Sequence, residues 1–394
     1  MFTPDKPQNY FFSQVHQPFF LSGVVFAIVT MLMFMLGYKG ILPLQIDAAA
    51  FHSYSLIYVV FTQFFTGFIF TTFPRFCQSE VIEKSYYLRT WLLHQLGAVL
   101  FLLGAVISLP LLYIGVAILL LANIAIVIKL RAIYTKAPEA MRHDPKWILT
   151  GFVMGLLGHF MYPLVLAGID NSAVAISLNL YLVFVTFAVG QRMVPFFSHS
   201  FAEKNEKFVP TVFIGLVLKV LAVNFGLVYG EVFLDIALGL LILMEVRRWA
   251  LPWKGSPVIL QILHVSFYWL IAALLFGGVI RLVEGVSTLS FMQMDVHMLA
   301  LGFVTTMLIG FGTRVTLGHS GQPPHADATT LKVFYLLQAV VIGRLLFSLV
   351  MGIGANMFWM FDLSITLWLI LFIFWGVRFG PVLFSGKKLS NTAI

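Results

Sequence analysis

Twelve apolar runs, most of them close to twenty residues long and divided by short polar stretches, fill the sequence from end to end. About twenty apolar residues is the length an α-helix needs to cross the hydrocarbon core of a bilayer. The runs fall near residues 19–37, 52–73, 89–108, 110–129, 147–169, 173–197, 208–226, 229–246, 259–283, 291–317, 330–353 and 355–377. In lipid the backbone must satisfy its own hydrogen bonds, so runs of this length form helices. Charged residues make up 10% of the chain, against roughly 25% in an ordinary soluble domain, which excludes a soluble enzyme. The expected fold is all-α: a polytopic membrane protein of about twelve transmembrane helices, one transmembrane domain over residues 1–394. The lone cysteine, Cys77, excludes an intramolecular disulfide and any cysteine cage for zinc or iron–sulfur. The opening, MFTPDKPQNYFFSQVHQPFF, is polar and aromatic and has no cleavable-signal pattern.

Basic residues set the orientation. On a twelve-span layout 20 of the 24 lysines and arginines fall on one side, with the two termini, while Lys39 and Arg281 fall on the other and Lys219 and Arg344 lie inside spans. Both termini are expected in the cytoplasm, and an odd number of spans would destroy the segregation. The formal charge of +8 therefore reports topology, and no nucleic-acid partner is expected. The ends of the second, sixth and tenth runs also resemble one another: TTFPRF (71–76), VGQRMVPFF (189–197) and GFGTRVTLG (310–318). Each carries an arginine, Arg75, Arg192 or Arg314, spaced by 117 and then 122 residues. They read as a threefold repeat of four helices, although the positive-inside rule alone would also put arginines there.

Ionisable side chains are costly in a membrane and tend to face the bundle interior with a function or a partner. His52 opens the second span and His297 lies about two turns inside the tenth, both at the non-cytoplasmic side. They can meet across the bundle on the two faces of one haem, with Arg344 and Arg281 placed to neutralise its propionates. A second group, His264, His319 and His199, gathers towards the cytoplasmic side with His16 and His94 nearby. His297 and His319 are 22 residues apart in one helix, about 33 Å, so they cannot share a metal. If both are ligands there are two sites, and imidazoles suit copper for the second. The competing reading is a set of helix-end histidines bonded to terminal carbonyls. Lys219 and His159, near mid-membrane, admit another alternative: a secondary transporter of a metal or small anion whose coupling path uses Lys219, His159 and Arg344, with Gly277–Gly278 and Pro163 as weak helix breaks. Phosphate loops, serine triads and HExxH motifs do not occur.

In these residues the sequence resembles the NnrS family of bacterial membrane proteins over nearly its whole length. The resemblance rests on QPFFLSG (17–23), FHSYSL (51–56), GFIFTTFPRF (67–76), QRMVPFF (191–197), ILHVSFYWL (262–270) and above all DVHMLALGFVTTMLIGFGTRVTLGHSG (295–321). It implies a haem b and, less firmly, copper. It marks His52, His264, His297 and His319 as metal-linked, with Arg192 and Arg314 in the motifs. It also implies the bacterial inner membrane and a role in handling nitric oxide or another small diatomic ligand, with the electron donor unidentified. Reductase, sensor and assembly factor all stay open. The chain departs from the family where a WHxHEM-like string is usual: Tyr54 stands for the second histidine and Ser55 for the glutamate, and His16 replaces an arginine. The catalytic subunit of haem–copper oxidases offers an analogy, with twelve helices in three groups of four and histidines from the second and tenth helices on a low-spin haem. Unlike it, this chain has no membrane-embedded histidine in the sixth span and no HxH in the tenth.

Overall fold

The computed structural model describes residues 9–389. Twelve long helices run through them in chain order: α1 His16–Tyr38, α2 Ala48–Phe76, α3 Lys84–Ile107, α4 Leu109–Lys136, α5 His143–Leu166, α6 Ser172–Phe197, α7 Phe208–Asn224, α8 Val228–Arg248, α9 Val258–Val286, α10 Met294–His319, α11 Ala328–Gly352 and α12 Trp359–Ser385. Ten are long and apolar enough to span a bilayer. The exceptions have simple causes. α7 has only 17 residues, and α8 carries Glu231, Asp235 and Glu245, all buried against partners in the bundle.

Helix ends differ from the apolar runs where long cations end a span. α4 continues to Lys136 because its basic side chains leave the apolar layer along the helix; the Lys129 ammonium lies 4.6 Å from the centre of the Tyr86 ring. α12 likewise continues past Arg378, which pairs with Asp327. The turn from α3 to α4 is the single residue Ser108. Gly104 and Gly115 make it practicable, because a Cβ on either would strike the backbone of the facing helix at Leu112 or Phe101.

The helices pack as three arcs of four around a centre. α4 lies on α5, α8 on α9 and α12 on α1, so the last helix closes the ring against the first. α2, α6 and α10 form the middle and are the most enclosed spans. Each of these three changes from α to π geometry for about two turns: Ser55–Phe61, Ile176–Val183 and Met298–Thr305. In the widened ladder Thr62 Oγ1 donates to the Ile57 carbonyl, and Thr305 and Thr306 donate to Ala300 and Leu301, all five residues back. The π segments begin 121 and then 122 residues apart, the period of a four-helix repeat. That register corrects the expected equivalence of the three arginines. Arg192 and Arg314 match Thr71, while Arg75 lies one turn further on. His52 and His297 do not match each other in this register; His297 corresponds to Ala175 and Tyr54. π turns are rare and concentrate at functional sites.

Candidate functional site

At the end of the bundle opposite the basic residues, α2, α6 and α10 spread around a cavity of about 1150 Å³. Ligand pockets generally measure about 300–1,000 Å³, so this one has room for a group larger than a drug-sized molecule. Phe34, Phe61, Phe347, Phe361 and Trp368 supply apolar walls, and His52, His297, Arg344, Arg281 and Lys219 line it too.

Local structure aims the two histidines. Asp47 caps α2 by accepting from the backbone N–H groups of Ala49 and Ala50 at 2.9 and 3.0 Å, which starts the helix just before His52. The His52 ring lies against Phe34, centroids 4.2 Å apart, and has no hydrogen-bond partner among the described residues. Before α10 the chain passes through Met292 and Gln293, both left-handed, with φ of 50° and 57°. Such a conformation is costly for non-glycine residues and persists where surroundings enforce it. Here it turns two carbonyls to use. The Gln293 carbonyl accepts from His297 Nδ1 at 2.8 Å, and the Met292 carbonyl accepts from Arg344 at 2.9 Å. A histidine donating through Nδ1 keeps its Nε2 lone pair free, the usual arrangement in a ligating imidazole.

The ring centroids of His52 and His297 lie 6.4 Å apart, with planes within 18° of parallel. Two imidazoles that hold one metal from opposite sides at about 2.0–2.1 Å from each nitrogen have centroids roughly 6 Å apart, so the separation of this pair matches that arrangement. Arg344 lies above this pair on α11. It donates to Ser348 and to Met292, its guanidinium lies 5.2 Å from the centre of the Phe347 ring, and no carboxylate pairs with it among the described residues. A cavity-lining guanidinium without an anion is a ready partner for a ligand carboxylate.

The match of the family model extends over residues 10–387, from just before α1 to just beyond α12. The chain belongs to the NnrS family. No curated protein matches it. NnrS membership supports a membrane protein connected with the response to nitric oxide.

In this NnrS chain the other anticipated site residues go elsewhere. Arg281 lines the cavity but is taken by Asp295 at 2.9 Å, Glu284 at 3.1 Å and Glu231 at 3.5 Å, so it is not a free cation for a propionate. Arg192 and Arg314 sit at the basic end, away from the cavity. Arg192 pairs with Asp144 at 2.5 Å and lies 4.5 Å from the Phe76 ring centre; Arg314 lies 4.1 Å from that of Phe197. His264, His319 and His199 do not assemble into one site. His264 Nε2 is bonded to Ser198 Oγ at 2.7 Å, His319 Nδ1 to Gln14 Oε1 at 2.7 Å, and His199 is exposed past the end of α6. The neighbour of His319 is instead His16, centroids 4.9 Å apart. Among the described residues no group of three or more histidine, cysteine and acidic side chains could hold a metal.

The transporter triad is divided too. Lys219 is bonded to Asp235 at 2.6 Å, both buried. His159 lies outside the cavity lining, between Tyr54 Oη at 2.8 Å and Asn123 at 2.7 Å. α9 continues unbroken through Gly277–Gly278, whose bare Cα atoms leave space for the Cβ atoms of Asp295 and Asp235. Asp235 and Asp295 are therefore the residues a sequence reading missed. The available signal was opposite charges in neighbouring spans, Lys219 in α7 and Asp235 in α8.

Proposed function

We propose that the cavity of this NnrS chain holds haem b between His52 and His297, and that the protein handles nitric oxide in the bacterial inner membrane, with its basic end in the cytoplasm. The supporting observation is the pair of near-parallel imidazoles 6.4 Å apart across an aromatic-walled cavity. When bound, the haem supplies a one-electron redox centre. His297 is held in place by the Gln293 carbonyl. His52, without such a tether, is the imidazole more easily moved aside for a diatomic ligand. Arg344 would offer donors to a propionate, and Phe34, Phe61 and Trp368 would supply apolar surface for the macrocycle. In an environment of low dielectric these contacts are stronger than in water. Copper fits less well. Tyr54, in the position of the family's second histidine, is fully buried and spends its hydroxyl on His159, and His264, His319 and His199 do not come together, so no step is assigned to copper.

The test is a spectrum of the full chain purified in mild detergent, oxidised and dithionite-reduced, with iron and copper measured on the same sample. Sharp reduced b-type bands with near-stoichiometric iron support the reading. A colourless, iron-free protein from haem-replete cells overturns it and restores the transporter alternative.

A further inference from the structure

Just below the large cavity, on the central helices, lies a second and much smaller one of about 40 Å³. It begins one helical turn further in on all three spans: Phe61, Leu182 and Leu301 line the large cavity, while Phe64, Val185 and Val304 line the small one. Three residues of α-helix rise about 4.5 Å. The boundary coincides with the ends of the π segments at Phe61, Val183 and Thr305. The widened backbones therefore frame the large cavity, and the small one begins at their inner ends.

The lining decides what can enter. Phe68, Val189 and Phe311 complete walls that are aromatic or aliphatic. The one hydroxyl, on Thr186, is already donated to the Leu182 carbonyl at 2.7 Å. A water molecule needs two to four polar partners, and empty cavities with apolar walls stay dry. By volume the space takes more than one water-sized sphere, since each needs about 10–15 Å³ in the same measure. It is too small for a benzene-sized ring. The wall residues on the three central helices, Phe64, Val185 and Val304, are all at most 3% exposed.

We infer that this central cavity is a docking site for a small apolar gas molecule, a diatomic such as nitric oxide, one turn of helix from the large cavity. A neutral diatomic has almost no hydrogen bonds to lose on leaving water, so the wall that rejects water accepts it. The site gives the diatomic of the proposed function a place beside His52 and His297. Its existence rests on the cavity walls alone and does not require haem to be bound.

Xenon, a neutral apolar atom of suitable size, is the probe. Crystals of the full chain, with whatever cofactors it carries on purification, are pressurised with xenon and the anomalous signal mapped. A xenon peak is expected between α2, α6 and α10. It is lost in Val304→Leu and in Val189→Leu, each of which places extra carbon in the space, and it is retained in the lipid-facing control Val377→Leu (Val377 is 70% exposed). Two filling variants are used so that one misfolded protein does not decide the matter. Ordered water in the wild-type cavity, or no xenon there at a pressure that fills surface sites, overturns the inference. So does a peak that survives both filling variants. The absorption spectrum of the same preparation is read separately: a colourless protein with a central xenon peak removes the haem and leaves the gas site.

Discussion

The two ends of the bundle carry similar side chains and treat them in opposite ways. At the basic end the imidazoles and guanidiniums of the family motifs have protein contacts: His264 Nε2 with Ser198, His319 Nδ1 with Gln14, Arg192 with Asp144, and Arg314 with the Phe197 ring alone. At the cavity end His52 and the Nε2 of His297 line the cavity without a hydrogen-bond partner among the described residues, and Arg344, bonded to Ser348 and Met292, has no carboxylate to balance its charge. Polar groups that line an open cavity without such partners are available to a ligand. The contrast is one of charge within the cavity itself, where no carboxylate pairs with Arg344 among the described residues and three pair with Arg281. Residue type and depth do not distinguish these cases. Partnership does.

Replacing histidines at the two ends tests that contrast most severely. His297→Ala is expected to lower bound haem at least about tenfold, the scale at which loss of a ligand or its support affects a metal site. His52→Ala should lose somewhat less, and His264→Ala should retain the wild-type amount. Pyridine haemochrome assays on equal protein read all three. Full haem in His297→Ala, or loss in His264→Ala alone, reverses the assignment of the two ends.

Next in size is the buried pair of Lys219 and Asp235, which is structural on the partnership argument although it touches the cavity. Removing one member of a buried pair strands the other charge and costs about 3–5 kcal/mol. Lys219→Met should therefore destabilise the fold strongly, while Lys219→Met with Asp235→Leu recovers most of the loss. Denaturation in a fixed detergent or lipid mixture reads this difference. If the double variant is no better than the single one, the pair serves more than mutual neutralisation.

The two cavity arginines give a smaller contrast. A hydrogen bond to a charged group contributes about 1.5–3 kcal/mol, so Arg344→Gln should weaken haem retention roughly 10–100-fold at an unchanged denaturation midpoint. Arg281→Gln should do the reverse, keeping haem and losing stability, because Glu231 and Asp295 are left without their cation. Equal haem loss in both variants would mean that Arg281 also reaches the ligand.

The spans were legible in the sequence because bilayer thickness imposes one length on all of them, and charge segregation fixed their number. His52 and His297 could be paired because depth along a helix follows from counting. The three π segments had no signal: Ser55–Phe61 and Met298–Thr305 are ordinary apolar sequence, and the change lies in backbone hydrogen bonding. Nor could Arg281 be separated from Arg344. Its partners Glu231, Glu284 and Asp295 come from three helices, and only their packing tells which charge is spent. The same holds for His319, whose partners Gln14 and His16 precede it by 305 and 303 residues.

Cys77 supplies the gentlest probe of the basic end. It directly follows α2, beside the Phe76 ring on which Arg192 lies. It is 1% exposed, and burial pushes its thiol up to about 11 despite the opposing pull of Arg192. Only the thiolate reacts with maleimide. At pH 8 about one molecule in a thousand would carry it, and the labelling rate should rise about tenfold per pH unit until the thiol titrates near pH 11. In the unfolded chain the thiol ionises near its ordinary value, so labelling in denaturant should be fast already at pH 8. Slow labelling of the folded protein means that the basic end stays closed around Cys77. Rapid labelling at pH 8 would mean that this end opens, and the partners of His319, Arg192 and Arg314 would then be ones that a ligand could displace.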